Sequence, residues 1–363
     1  QGTKLACRAS VGPVDINGLT INSDQGIVGR CVTHNKPEMV RDVSKNPDFD
    51  QQVDESTGFT TRSILCAPME VKDDRIGAIE LVNKQSGDRL FSEPDLMMLQ
   101  SLASSAALAI LNARLAEKLI GQERVRRELE LANEIQRSLL PNARPPPFPV
   151  CGVNLPAREV SGDFYDFFEL EDGRIYFALG DVSGKGMNAA LLMSKTASLF
   201  RCLGKTIHKP GQLLAVINEE ICETAIHGMF VTMAVGIFDP NSGRVLLSNA
   251  GHEPPLVHAT DGSFTAIPAD APPVGIISMP DDTVPEVEIM LDGGKLYIFT
   301  DGVTEGDLED GTRLEVEGFQ KLMVENAAIP IADRINMVVD LLRLDGQDRH
   351  DDITILAVEH VRS

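Results

Sequence analysis

Two aromatic-rich apolar runs, Phe167–Leu170 and Ile175–Leu179, flank the polar segment Glu171-Asp-Gly-Arg174. Apolar runs around an Asp-Gly pair predict an antiparallel hairpin. The turn sets Asp163, in Arg158-Glu-Val-Ser-Gly-Asp-Phe-Tyr-Asp166, opposite the neighbourhood of Asp181 and Val182, in Gly180-Asp-Val-Ser-Gly-Lys-Gly186. Further on, apolar positions at helical spacing predict helices over Met187–Leu203, Leu213–Ala225, Phe319–Val324 and Ile331–Leu344. Met229–Phe238 and Arg244–Asn249 predict a second hairpin about Asp239-Pro-Asn-Ser-Gly243, with Lys295–Thr300 and Ile353–Val358 as further strands. Strands in hairpins and helices in separate runs predict an α+β sandwich rather than a doubly wound sheet.

Upstream, residues 1–93 alternate short strands with one short helix. Arg62–Glu70 and Arg75–Asn83 are strand-like and joined by Lys72-Asp73-Asp74, and Gly26–His34 is the helix. Ser92-Glu-Pro-Asp95 has the form of a capping box that opens a long helix over 94–140. At 1.5 Å per residue that helix runs about 70 Å. Its seam Leu108, Leu111, Leu115, Leu119, Gln122, Val125, Leu129, Ala132, Gln136 and Leu139 steps by three or four, with an irregularity at Gln122. A helix this long cannot bury its stripe alone, so a parallel homodimer through it is expected. Arg144-Pro-Pro-Pro-Phe-Pro149 is a stiff connector, and a second domain fills 150–360.

Composition narrows the function. A hydrophobic share of 43% is that of a globular protein, and 363 residues suffice for two cores. The net charge of −21, with no basic stripe to offset it, excludes nucleic-acid binding. Six cysteines stand far apart without a C-x-x-C pair, which fits reduced thiols in a cytoplasmic protein. No leader is expected from the opening residues, and the apolar run Leu102–Leu111 is expected to be too short to span a bilayer. The first residue is Gln1, so the chain is expected to be a fragment, and an upstream membrane tether stays open.

The chemistry lies in acids at predicted strand ends: Asp163, Asp181, Asp301, and Asp351 or Asp352. Carboxylates about 5 Å apart across a hairpin repel by roughly 3 kcal/mol at an effective dielectric of 20. A proton or a cation must relieve that repulsion. The donors are oxygen only, which suits Mg²⁺ or Mn²⁺ and not Zn²⁺. The loop Gly180–Gly186 is one residue too short for a P-loop and lacks its hydroxyl.

Ser161-Gly-Asp-Phe-Tyr-Asp166, Gly180–Gly186, Ala250-Gly-His-Glu-Pro-Pro255, Thr300-Asp-Gly-Val-Thr-Glu305 and Asp351-Asp-Ile-Thr354 together resemble the PPM-type serine/threonine phosphatases, in the branch of stage II sporulation protein E and the sigma-factor regulators. The resemblance implies two Mn²⁺ or Mg²⁺ ions bridged by Asp181, the carbonyl of Val182 on one, and Asp301 and Asp351 on the other. Asp163 would be a direct or outer-shell ligand. Arg158 stands where animal relatives carry a phosphate-binding Arg. Ser183 stands where they carry a His, which leaves Lys185, His252 or a water to protonate the leaving group. Glu130–Pro141 also resembles this branch, whose usual substrate is a phosphorylated anti-sigma-factor antagonist.

Gly26-Ile-Val-Gly29, Pro37–Asp42, Arg62–Leu65, Ile76-Gly77 and Asn83-Lys84 resemble a GAF sensor domain, truncated at its N-terminus. Asn83-Lys84, Phe91 and Asp95 follow an arrangement found in its cyclic-nucleotide-binding members, but Leu96 replaces the closing Glu, and a bracing role is favoured for these residues. A small-molecule ligand at this domain is a further expectation. The implied architecture is sensor, helical transmitter and metal-dependent phosphatase. The competing readings are a non-catalytic ligand-sensing scaffold that docks partners, and a hydrolase of small phosphoesters.

Overall fold

The computed structural model describes residues 4–72, 74–223, 228–279, 284–342 and 351–361. The ends of two predicted helices, at Ala225 and at Arg343–Leu344, lie outside them. The chain divides into two compact units, 1–125 and 126–363, and helix α3 (Glu93–Leu139) belongs partly to each.

In the first unit, β1 (Lys4–Ala6) pairs with β2 (Thr20–Asn22), ahead of α1 (Gly26–His34). β3 (Glu38–Val40), α2 (Gln52–Thr57), β4 (Ile64–Val71) and β5 (Asp74–Val82) follow, the three strands forming one antiparallel sheet in the order β3-β4-β5. Strand alternation splits the core. Cys66 and Ile64 face Ile27 and Cys31 of α1, whereas Leu65 and Ala67 face Phe91, Leu99 and Ala103 at the start of α3. By length and composition α3 could cross a bilayer, which corrects the shorter span inferred from Leu102–Leu111, although Leu99 and Ala103 of this helix are spent on the sheet.

The second unit adds β6 (Val150–Leu155), β7 (Phe164–Glu169), β8 (Ile175–Val182), α4 (Met187–Leu203), α5 (Pro210–Cys222), β9 (Val231–Asp239) and β10 (Arg244–Ala250). Then come β11 (Leu256–His258), β12 (Phe264–Ala266), β13 (Val287–Met290), β14 (Lys295–Phe299), α6 (Asp301–Thr304), α7 (Glu315–Glu325), α8 (Ile331–Leu341) and β15 (Ile353–Glu359). Two antiparallel five-stranded sheets result, ordered β13-β10-β9-β8-β7 and β12-β11-β14-β15-β6.

Period-two alternation builds four layers from these sheets. Ile175, Phe177 and Leu179 of β8 meet Leu296 and Ile298 of β14 and Leu356 and Val358 of β15 between the sheets. Tyr176 and Ala178 point the other way, onto Met193 and Phe200 of α4 and Leu213 and Ile217 of α5. Tyr297, Phe299, Ile355 and Ala357 meet Phe319 of α7 and Ile335 and Val338 of α8. The result is the predicted α+β sandwich, with helices on both outer faces.

Candidate active site

The β7–β8 hairpin has Phe164 opposite Gly180, so Asp163 stands across from Asp181. Asp163 is 2% exposed, and Thr354 Oγ1 donates to its Oδ2 over 2.7 Å. The two carboxyls interact directly, which raises Asp163 and works against the rise at Asp181. Burial first, then the charges of Asp181 and Asp352, push the Asp163 carboxyl well above its ordinary range. Asp181 is raised by burial and by Asp351 and Asp352, with Asp163 and Lys185 pulling against the shift.

Asp301 opens α6, where β14 ends. Burial, then Asp181 and Asp351, lift its carboxyl to about 6. The glycine after it is obligatory: a Cβ on Gly302 would lie 2.0 Å from the Asp352 carbonyl oxygen. That contact brings the start of α6 against the segment before β15. Asp351 is half-exposed, and Lys185 Nζ lies 2.9 Å from its Oδ2.

The neighbouring Asp352 has the opposite task. It accepts from Ala157 N (2.7 Å), Ser161 Oγ (2.8 Å) and Gly162 N (2.8 Å), and so fixes the loop that delivers Asp163. Asn154 Nδ2 donates to Thr354 Oγ1 over 2.8 Å, and Thr354 N to Thr300 Oγ1 over 3.1 Å. Gln136, 6% exposed near the end of α3, closes the loop from the other side. It donates to the carbonyls of Ser161 (3.0 Å) and Ala190 (3.1 Å) and accepts from Ser161 N (3.1 Å). Gln136 therefore leaves the expected dimer seam and is used within the chain. This network of Gln136, Asn154, Ser161, Asp352 and Thr354 escaped the sequence reading as a network, although four of its members lie in motifs already noted.

The other expected residues separate clearly. His252 is buried, its Nδ1 2.9 Å from Thr232 Oγ1, and burial drops its pKa to about 4. Burial favours its neutral ring, and its place in the loop suits a bracing role. Ser183 is tied to Phe230 by two 2.9 Å bonds, one through its hydroxyl and one through its backbone N–H. Arg158 is exposed in the loop before Ser161, and Val182 is buried on β8.

Among the described residues no three His, Cys, Asp or Glu close in on one point as a finished metal cage. The donor set nonetheless suits hard divalent cations: Asp163, Asp181, Asp301 and Asp351 are all carboxylates, and each of the first three is raised by a neighbouring acid. Positive charge placed among them would relieve that mutual repulsion.

Comparison with known proteins fits this geometry. The family model described as stage II sporulation protein E matches residues 171–361, and the GAF domain model matches residues 6–110. Asp163 precedes the first of these spans. Phosphoserine phosphatase RsbU of Bacillus subtilis is 30% identical over 241 residues, 65% of this chain and 71% of RsbU. The SiaA-PP2C domain of Pseudomonas aeruginosa, 19% identical, covers 66% of this chain and 99% of that domain with a TM-score of 0.58, which shows a shared fold. The RsbU and RsbW domains of a Mycobacterium tuberculosis protein are 27% identical with a TM-score of 0.51, covering 59% of this chain and 60% of that one.

Proposed function

Because the chain belongs to the stage II sporulation protein E family, we propose that it is a metal-dependent phosphoprotein phosphatase governed by its GAF domain, with a phosphoseryl or phosphothreonyl protein of a sigma-factor pathway as substrate. The observation that carries this reading is the meeting of Asp163 and Asp181 across one hairpin, with Asp301 and Asp351 close enough to perturb Asp181 or to be perturbed by it. Asp181, the Val182 carbonyl, Asp301 and Asp351 would hold two Mn²⁺ or Mg²⁺ ions, with Asp163 in direct or outer contact. When bound, such cations supply the positive charge that acidifies an attacking water and neutralises phosphoryl oxygens. The chain's own residues set the frame. Asp352 and Gln136 fix the loop that carries Asp163, Thr354 orients its carboxyl, and Gly302 admits the close approach of the Asp301 and Asp351 segments.

The protein substrate we favour is a small anti-sigma-factor antagonist, docked as a folded body in the cytoplasm. Strong negative charge disfavours recognition through a long acidic peptide. RsbU and RsbW domains in the Mycobacterium tuberculosis relative support a partner-switching setting. Leu108, Leu115, Leu119 and Val125 lie exposed along α3, which supports pairing of two copies through that stretch, with a ligand at the GAF domain acting on the pair.

The test is turnover of p-nitrophenyl phosphate and of a phosphoserine protein with and without Mn²⁺. Turnover that appears with Mn²⁺ and is greater on the protein than on a short phosphopeptide is expected. No turnover under Mn²⁺ or Mg²⁺ would make the chain a docking scaffold instead. Leu115→Asp with Val125→Asp should yield monomers by light scattering, and a double variant that stays dimeric removes α3 as the interface.

A further inference from the structure

Four polar side chains other than the acids stand at the mouth of this site or were expected to act there, and two of them are spent inside the fold. His252 is sealed in the fold with its Nδ1 on Thr232. Ser183 spends its hydroxyl on the backbone of Phe230. Arg158 stands exposed on the loop, with no ion pair to the acids among the described residues. Lys185 remains. Its ammonium lies 2.9 Å from Asp351 Oδ2, with the side chains of both residues 43% and 45% exposed, so the pair is at the acid cluster and open to solvent. Its charge reaches Asp181 as well. The loop is shaped to present it: Gly184 and Gly186, at φ +91° and +82°, flank Lys185 in the left-handed region, where nothing crowds either glycine. Backbone shape, not space, selects glycine at both positions.

We propose that Lys185 holds the phosphoryl group of the substrate, a phosphomonoester on a seryl or threonyl oxygen. The inference rests on the phosphatase reading. A phosphate dianion entering a cluster of carboxylates in a chain of net charge −21 meets repulsion from every acid on the way. An ammonium at the lip offsets this by its charge and by N–H donation to a nonbridging oxygen. In the reaction the ester P–O bond breaks, water oxygen forms the new P–O bond, and the proton released by water ends on the seryl oxygen. Lys185 keeps its own protons throughout and acts by attraction and orientation.

The experiment titrates inorganic phosphate into the Mn²⁺-loaded full chain by calorimetry, alongside Mn²⁺ titrations of the same variants. Lys185→Met should weaken phosphate binding and raise KM at least tenfold, change kcat less than threefold, and leave Mn²⁺ affinity within threefold of the parent chain. Lys185→Arg should recover most of the phosphate affinity. Phosphate affinity within twofold of the parent in the Met variant would reduce Lys185 to an ion pair. A parallel loss of Mn²⁺ affinity would also overturn the proposal, because the residue would then serve Asp351. Phosphate binding needs no turnover, so a parent chain that binds phosphate but hydrolyses nothing refutes the phosphatase reading and leaves Lys185 to be judged by its own titration.

Discussion

Each unit of the chain carries a conspicuous polar group at strand ends, and the two are built on opposite principles. In the GAF unit, Lys84 Nζ lies 2.7 Å from Asp95 Oδ2, and Ser92 donates to that oxygen through its backbone N–H (2.7 Å) and hydroxyl (2.6 Å). Asn83 accepts from Arg62 N and Ser63 N and donates to Thr60 O. Lys84 and Ser92 accordingly pull the Asp95 carboxyl down to about 2. In the second unit Asp163, Asp181 and Asp301 are pushed up, because burial and neighbouring acids outweigh their few donors. A brace closes its charge account internally. A site leaves it open for something from outside.

The sharpest way to break this contrast is Asp181→Asn. Turnover with Mn²⁺ should fall by about a thousandfold or more, while the circular dichroism spectrum stays that of the parent. A variant with parental kcat would leave the acid cluster without a catalytic role. Asp352→Ala comes next. Three donors lose their acceptor, at a cost of about 1–3 kcal/mol for each one left buried and unpaired. The loop carrying Asp163 should shift and lower kcat by about a hundredfold, with Tm falling in parallel. Unchanged kcat would show that Asp352 holds the fold alone.

On the brace side, Asn83→Ala should cost about 0.5–1.5 kcal/mol of GAF-unit stability in urea unfolding, with kcat of the phosphatase unit unaltered. A loss of activity without loss of stability would turn the brace into a ligand or signalling site. The smallest effect concerns pH. Asp301 titrates at about 6 in the folded chain against 3.8 in the unfolded one, so the folded state holds the proton more tightly. Its stabilising contribution is full below 3.8 and is lost as pH rises through about 6. In chelator, the Tm of Asp301→Asn relative to the parent should therefore climb between pH 4 and 7. His252, lowered to about 4, titrates in the opposite sense but in both proteins, and cancels in the difference. Parallel Tm profiles would contradict the raised carboxyl.

Much of this was legible beforehand. The Asp172-Gly173 turn placed Asp163 opposite Asp181 because hairpin register follows from turn position alone. Helices α4, α5 and α8 followed from their apolar spacing. Strand β6 went unread because its pairing with β15 links residues some two hundred positions apart, and β11–β13 are too short for alternation to register. Nor could the sequence separate Asp351 from Asp352: adjacent carboxylates diverge to a solvent-facing ion pair and to a half-buried hub, and only the fold assigns them. Gln136 was misplaced for a related reason. At helical spacing it fits an intermolecular seam as well as a groove in its own chain, and periodicity cannot distinguish the two.

The clamp of Gln136 on Ser161 has a consequence for how such chains are assembled over evolutionary time. The last two turns of α3 share hydrogen bonds with the loop that carries an acid of the site, so they are inherited as part of the hydrolase rather than of the connector. A recombination event that exchanges the sensor can join the chains anywhere along the bare middle of the helix. A junction placed after Gln136 would instead deliver a catalytic module with a loosened loop. The modular boundary therefore falls inside a continuous helix, and grafted sensors should be fused in helical phase upstream of it.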